Sequence, residues 1–392
     1  MNSQCHYQQD KSTLFPIGWK LVKLGSMTSK VGSGITPLGG SNTYLNQGIP
    51  FIRSQNVLIG LLDLSDVVYI SKNQHQEMSK TYLQPNDVLL NITGASIGRC
   101  CVVPENFKEG NVNQHVCIIR PTENLNSNYL SMVLNSAIGQ KQIQQFQAGG
   151  NRQGLNFQQI RSFTIPYPPL PEQRKIAEIL SNWDEAIDKT ERLIAALQTR
   201  KKGLMQRLLT GQVRFPGFDN KWEEVRIQEV IEINYGKSPK GIQEENGRYP
   251  IFGTGGIVGY TNKSLCSQNS IIIGRKGSID QPQLTLTPYW AIDTTFYCTP
   301  KNGLDVRWLY YYLSHKGLAR YNEGSTIPSL SRTTIQRLKL LLPTPSEQQK
   351  IADLLQECDT EINLQKQRVE KYIYQKKGLM QRLLTGQVRV KV

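Results

Sequence analysis

Four features of the 392-residue chain have residue types that could do catalysis, and each lacks a necessary part. Phe252-Gly-Thr-Gly-Gly has the composition of a glycine-rich nucleotide turn such as a methyltransferase uses. No Asn/Asp-Pro-Pro-Tyr/Phe string accompanies it, and a glycine turn between strands explains it better. Gly236-Lys237-Ser238 matches the end of a phosphate-binding loop, but Ile231 stands where that loop's first glycine belongs. A metal-dependent nuclease wants paired carboxylates with a nearby Glu-x-Lys, and that tripeptide does not occur. His6, His75, His115 and His315 have no paired spacing. The seven cysteines (Cys5, Cys100, Cys101, Cys117, Cys266, Cys298 and Cys358) form no Cys-x-x-Cys, so neither a zinc site nor a disulfide framework is indicated. The chain reads as non-catalytic, with no metal and no cofactor.

Binding chemistry is better supplied. Lys and Arg number 46 against 31 acids, a net charge of +15, which favours a polyanionic partner with nucleic acid first and a membrane surface second. The absence of a long apolar run or a signal-peptide pattern sets the membrane aside and points to a reduced, cytoplasmic protein. Lysine and arginine grip phosphates, while Arg, Asn, Gln, Ser and Thr read base edges. On that chemistry the DNA-binding candidates are Arg53, Arg99 and Arg152 in the first half, with Lys237, Lys240, Arg275, Lys276 and Arg320 in the second. An ordinary solvated charge is an equal reading for each. Asn113-Gln114-His115 is open to base reading or to hydrogen bonding at a strand start, and Tyr235, Tyr249 and Tyr260 are assigned to the sheet core.

What must position these residues is an internal duplication. Lys201–Arg214 and Lys376–Arg389 are identical over fourteen residues at an offset of 175, and the match extends back to Glu172 and Glu347 with 22 identities in 43 positions. Both copies carry a seam stepping by four and three. It runs Ile176, Leu180, Trp183, Ile187, Thr190, Ile194, Leu197, Lys201, Leu204 and Leu208, then Ile351, Leu355, Cys358, Ile362, Gln365, Val369, Tyr372, Lys376, Leu379 and Leu383. That is a coiled-coil stripe. Its two lysines read as snorkelling off the seam. Pro171 suits a first helical turn, Ser346 with Gln349 reads as a capping box, and Gly211 and Gly386 read as stops. About 38 residues at roughly 1.5 Å each make a rod near 57 Å, and pairing the two rods antiparallel buries both stripes.

Between the helices the chain turns rich in Gly, Asn, Ser and Pro with short β-type runs, Asp87–Ile92, His115–Arg120, Ser270–Ile273 and Thr294–Cys298. Residues 126–146 and 306–321 are helix candidates. Trp19 and Trp222 open the two lobes alike, and Leu155 and Ile160 match Leu330 and Ile335 at the same offset. The expected order is an N-terminal extension (1–14), a lobe (15–170), a spacer helix (171–214), a second lobe (215–345) and a second spacer (346–392). Phe15-Pro16-Ile17-Gly18-Trp19 supplies the lead-in missing after the second helix, so the halves form a ring cut at one junction with neighbouring termini. The fold class is α+β: two pseudo-symmetric lobes, each a curled β-sheet with short helices, separated by two long helices in an antiparallel coiled coil.

With Pro-Leu-Pro-Glu-Gln-Arg-Lys-Ile-Ala-Glu-Ile-Leu (169–180), the two Lys-Lys-Gly-Leu-Met-Gln-Arg-Leu-Leu-Thr-Gly-Gln helix ends, Asp87–Arg99 and Pro250–Tyr260, the chain resembles the specificity subunits of Type I restriction–modification enzymes over nearly its whole length. The resemblance implies two target recognition domains, each reading one half of an asymmetric bipartite site in double-stranded DNA. It implies that the helices set the spacing and dock two modification (methyltransferase) subunits, with restriction (translocase/endonuclease) subunits joining through the complex. A coiled-coil scaffold binding only proteins is the rival reading, and a self-sufficient methyltransferase a third, opposed by the missing Pro-Pro motif.

Overall fold

The seam becomes two unbroken helices. In the computed structural model, which describes residues 16–147, 154–301 and 303–392, they run Leu170–Leu209 and Pro345–Leu384, 40 residues each. Pro171 and Pro345 lie in the first turns, where a missing N–H leaves no hydrogen bond unmade. The second helix begins before Ser346, so the expected capping box does not form there; the Gln348 N–H instead donates to the Thr344 carbonyl at 2.9 Å. Both helices stop at a glycine with φ 73°, Gly211 and Gly386, the left-handed conformation that a Cβ disfavours.

The chain divides into two compact units, one from the residues up to Lys189 with Val369–Val392, the other Thr190–Arg368. Each long helix gives half its length to each unit, and within each unit the halves run antiparallel. In the first unit Glu172 meets Arg389, Trp183 packs edge-on to Tyr372 at 5.6 Å, and Asp184 pairs with Lys376. In the second, Arg214 meets Glu347, Lys201 reaches Asp359 at 2.5 Å, and Arg200 pairs with Glu361. The seam lysines are therefore held by carboxylates rather than left to snorkel, and Lys201 also lies 5.0 Å from the Tyr311 ring centre. Ile176, Leu180, Leu197, Leu208, Ile351, Leu355, Cys358, Ile362, Val369 and Leu383 are buried. Trp183, Ile187, Ile194, Leu204, Tyr372 and Leu379 are half-buried.

The lobes share one topology that their sequences barely betray. In the first unit, strands Thr28–Ser33, Val116–Pro121, Val88–Asn91 and Cys100–Val102 form a four-stranded antiparallel sheet in that spatial order. Val68–Ile70, Ile49–Ile52 and Asn111–Val112 make a three-stranded mixed sheet. The second unit repeats the plan with Ile231–Tyr235, Thr295–Pro300, Ser270–Gly274 and Gln283–Thr285, then Gly256–Thr261, Tyr249–Gly253 and Trp290–Ala291. A ribbon joins the start of each lobe to its end, Lys20–Lys23 with Thr164–Tyr167 and Glu223–Arg226 with Lys339–Leu342. The candidate helix over 126–146 divides into Ser127–Asn135 and Ala137–Gln147 at Ser136, whose extended backbone breaks the first helix and whose hydroxyl accepts the Ile138 N–H. The second candidate is a helix over Val306–Lys316 followed by a 3-10 turn, Leu318–Tyr321. Each lobe's core extends onto the long helices: Tyr129, Phe163, Ile176, Leu180 and Leu383 in one, Trp308, Phe296, Leu208, Ile351 and Leu355 in the other.

A repeated Glu-Gln dipeptide fastens helix to lobe. Glu172, 2% exposed, accepts from the Trp19 indole at 3.1 Å and from Arg389 through two nitrogens at 2.8 and 3.1 Å. Glu347, fully buried, does the same with Trp222 at 2.9 Å and Arg214 at 2.7 and 2.9 Å. The next residue, Gln173 or Gln348, accepts from the N-cap residue of the lobe's helix, Asn126 or Asp305, at 2.9 Å. In the first unit these contacts set residues 386–389 against 16–19, with Arg389 also donating to the Ile17 carbonyl at 3.0 Å.

Replacing Glu172 by Ala removes the carboxylate that the Arg389 guanidinium and the Trp19 indole N–H share. The arginine side chain is 43% exposed, so water recovers part of the loss, and destabilisation of about 2–3 kcal/mol is expected. Thermal melting should show it as a drop of several degrees; an unchanged midpoint would remove the carboxylate from what holds this unit together. Burial also pushes the Cys100, Cys117 and Cys298 thiols up to about 12 from an ordinary 9.0. Below pH 9 these thiols are protonated whether the chain is folded or not. Between pH 9 and 12 the unfolded chain loses those protons while the folded one keeps them, so stability falls. Urea midpoints taken across that range should decline, and native thiols should resist alkylation at pH 8 until the chain unfolds.

Candidate nucleic-acid interface

In the second unit, strands Ile231–Tyr235 and Ser270–Gly274 end, and Thr295–Pro300 begins, along one sheet edge. Four segments are laced together there by backbone hydrogen bonds. Gly236 N–H donates to Thr295 O at 3.1 Å, Lys237 to Ala291 at 2.8 Å, Arg275 to Thr294 at 2.8 Å, Gly277 to Pro328 at 2.8 Å and Leu330 to Arg275 at 3.0 Å. Gly236 is dictated by this crossing, since a Cβ would sit 2.0 Å from the Ile292 carbonyl oxygen.

The edge carries cations around an aromatic ring. Tyr235 is 47% exposed, its inner side resting on buried Phe296 at 5.1 Å between centres. The guanidinium carbons of Arg275 and Arg332 lie 5.3 and 5.9 Å from its centre. Lys237 and Lys276 are exposed on the same segments, and Lys240 is exposed in the following turn. Of the five candidates in this lobe, Lys237, Arg275 and Lys276 are thus brought together. Arg320 is not among them: it is exposed beside a groove of about 440 Å³ that it lines with Tyr312, His315, Lys316 and Lys339.

The first unit builds the same frame and dresses it differently. Gly34 donates to Asn113 O at 3.2 Å, Ile92 to His115 O at 3.0 Å and Leu155 to Ile92 O at 2.9 Å. A Cβ on Gly34 would fall 1.5 Å from the Val112 oxygen. Here the side chains are hydroxyls, a carboxamide and an imidazole. Thr36 donates to the Gln114 carbonyl oxygen, the Gln114 amide lies 3.1 Å from His115 Nε2, and Thr93 Oγ1 is 2.6 Å from His115 Nδ1. Asn113 is buried, its carboxamide oxygen accepting the His115 N–H at 3.1 Å, while Gln114 is exposed. Arg53 is committed elsewhere, donating to the Asp66 carbonyl at 3.1 Å with that carboxylate at 3.9 Å and the Tyr44 ring at 5.8 Å. Arg99 is exposed in the turn after Val88–Asn91. Arg152 lies outside the described residues.

Sequence reasoning missed Arg332, Thr36 and Thr93, and it assigned Tyr235 and Tyr260 to a core from which both emerge nearly half exposed. Tyr249 is half-buried. Leu330, already an anchor at the offset of 175, was the available pointer to Arg332. Both edges offer hydrogen-bond donors and acceptors to a long polar ligand. Among the described residues no group of three or more His, Cys, Asp or Glu is placed to hold a metal, and no helix is long and apolar enough to cross a membrane.

The family described as the Type I restriction modification DNA specificity domain matches residues 16–199 and 219–371. Over 416 aligned residues the chain is 25% identical to the type I restriction enzyme MjaX specificity subunit inferred in Methanocaldococcus jannaschii, covering 96% of this chain and 95% of the relative. The fold is similar to that of the crystallised Type I restriction–modification S subunit of M. genitalium, at a TM-score of 0.63, 17% identity and coverage of 93% and 96%. It is also similar to a chain solved in work on complex assembly and conformational transition of the type I restriction–modification system, at 0.61, 19% identity and coverage of 95% and 99%.

Converting Gly236 to Ala should break the lacing in the second unit. The expected result is loss of protection from hydrogen exchange in 235–237 and 291–295 with protection in 88–121 unchanged; equal protection in both proteins would mean the crossing tolerates a methyl group.

Proposed function

The chain belongs to the family of Type I restriction modification DNA specificity domains, and from that membership we propose that it is the non-catalytic DNA reader of such an enzyme, each lobe taking one half of an asymmetric bipartite site. The observation that carries the reading is the pair of sheet edges: one kind of backbone frame, with Ile92 and Leu155 bonded as Arg275 and Leu330 are, carrying cations around Tyr235 in one lobe and a Thr-Gln-His cluster in the other. Similar frames suit similar placement on DNA, and unlike side chains suit unlike half-sites. Arg99, Lys237, Lys240, Arg275, Lys276 and Arg320 are the candidate contacts; Arg53, held by Asp66, is the weaker one.

On this reading residues 15–170 and 215–345 are the recognition domains, and 171–214 with 346–392 the spacer, whose outward faces receive the modification subunits. Exposed Leu193, Leu364, Ile373 and Tyr374 offer apolar surface for that contact. Restriction subunits join through those subunits, and the assembly works in the cytoplasm.

Co-expression with the cognate modification subunit is the test. Genomic adenine methylation should appear at a bipartite, asymmetric motif only when both proteins are present; methylation by this chain alone would overturn the proposal. Inserting one heptad into each long helix, beside Thr190 and beside Val369, adds about 10 Å and should widen the gap by about three base pairs. Both half-sites should stay as they were. Half-sites that change would mean the helices do not act as a spacer.

A further inference from the structure

Resting on that reading, we propose that Arg275 and Arg332, set over the Tyr235 ring, read a guanine in the half-site of the second lobe. Six arginines among the described residues are half-buried: Arg53, Arg120, Arg214, Arg275, Arg307 and Arg332. Four have a carboxylate partner. Arg53 has Asp66, Arg120 has Asp87, Arg214 has Glu347, and Arg307 has both Asp305 and Asp353. Arg275 and Arg332 have none, and both lie over the same tyrosine ring.

The Arg332 Nε is buried with no hydrogen-bond partner; the Arg53 Nε is too, but the Arg53 guanidinium donates to Asp66. Glu323, which approaches this turn, is taken by the hydroxyls of Ser331 and Thr334. Taking the Arg332 Nε out of water without an acceptor is costly, and a ligand that supplies an acceptor removes that cost. Tyr235 is itself fixed on Phe296, and the Arg275 backbone is pinned at its N–H by Thr294 and at its carbonyl by Leu330. The platform is thus set before any ligand arrives.

An acceptor for a guanidinium is either a phosphate or the O6/N7 edge of guanine. The geometry favours the base. A guanidinium held over an aromatic face has its torsions restrained and offers a planar N–H fork, which suits bidentate pairing with guanine. Backbone phosphates ask only for charge on a flexible stem, and exposed Lys237, Lys240 and Lys276 around the platform already provide it. The residues in the matching places of the first lobe, Phe157 at the offset of 175 from Arg332 and Ser33, which precedes Gly34 as Tyr235 precedes Gly236, cannot build the same device, so the proposal concerns one half-site alone.

The experiment is the methylated motif of the full chain with its modification subunit, compared with R332A, R275A and the charge-keeping R332K and R275K. Wild type should show a G·C pair in one half-site. Each variant should lose discrimination at a G·C position in that half by roughly 10–100-fold while the other half is read unchanged, which also reports a folded complex. The lysine variants should also lose discrimination, because a rotatable ammonium lacks the planar fork that fixes the pair to O6 and N7; if an alanine variant does not assemble, they decide the matter. A motif preserved in every variant with uniformly weaker methylation and a shallower salt dependence assigns the arginines to phosphates and overturns the inference. So does an unchanged motif at unchanged strength, or a wild-type motif whose halves contain no guanine in common with the affected position. A wild-type complex that methylates no bipartite motif removes the functional reading itself, a separate outcome.

Discussion

A carboxylate without water is the constraint around which both units are organised. Glu172 and Glu347 lie at the starts of their helices with almost no exposure, and each would be untenable without the arginine and indole N–H groups that face it. Those groups come from the strand lead-in of the lobe and from the chain that follows the end of a long helix. One buried charge thereby joins three segments that hydrophobic contact alone would leave free to slide along the seam. Apolar stripes choose burial but not register; the bidentate arginine, with Lys201 on Asp359 and Lys376 on Asp184, supplies it.

The lobes divide labour in a similar way between backbone and side chain. Glycines 34 and 236 pass close under a neighbouring carbonyl, and main-chain hydrogen bonds lace the edge at equivalent places in both units. None of this depends on the residues that point outward. Ser33 and Tyr235, or Thr93 and Lys276, can occupy corresponding positions without altering the frame, so chemistry at the edge can change while its geometry persists.

What could be read in advance follows from the kind of signal each part leaves. The long helices were legible because a seam of period 3.5 repeats ten times in each copy and the copies share fourteen unbroken identities. The lobes left only Trp19 with Trp222, Leu155 with Leu330 and Ile160 with Ile335, because short strands buried from both sides show little alternation and their pairings are non-local. Tyr235 resembled a core residue because it continues the face of Ile231 and Ile233; that it ends the strand, and so emerges, depends on Gly236 turning the chain. Arg332 acquired meaning only when a segment nearly a hundred positions away was folded against it. The lysines of the seam were visible, but their aspartates stand on the opposite helix in positions that periodicity treats as surface.

The two carboxylate cradles are closed by stretches of chain very different in length. Arg214 and Glu347 are separated by 133 residues, Glu172 and Arg389 by 217. Because synthesis proceeds from the N-terminus, residues 15–170 emerge before the second lobe, yet Arg389 and the core residues Leu383 and Leu384 that complete their unit are made only after the whole of the second lobe. The earliest lobe on the ribosome is therefore the last to be finished. Until then Glu172 lacks its arginine and a strip of apolar surface stands uncovered, a period in which the nascent chain depends on shielding from unwanted association.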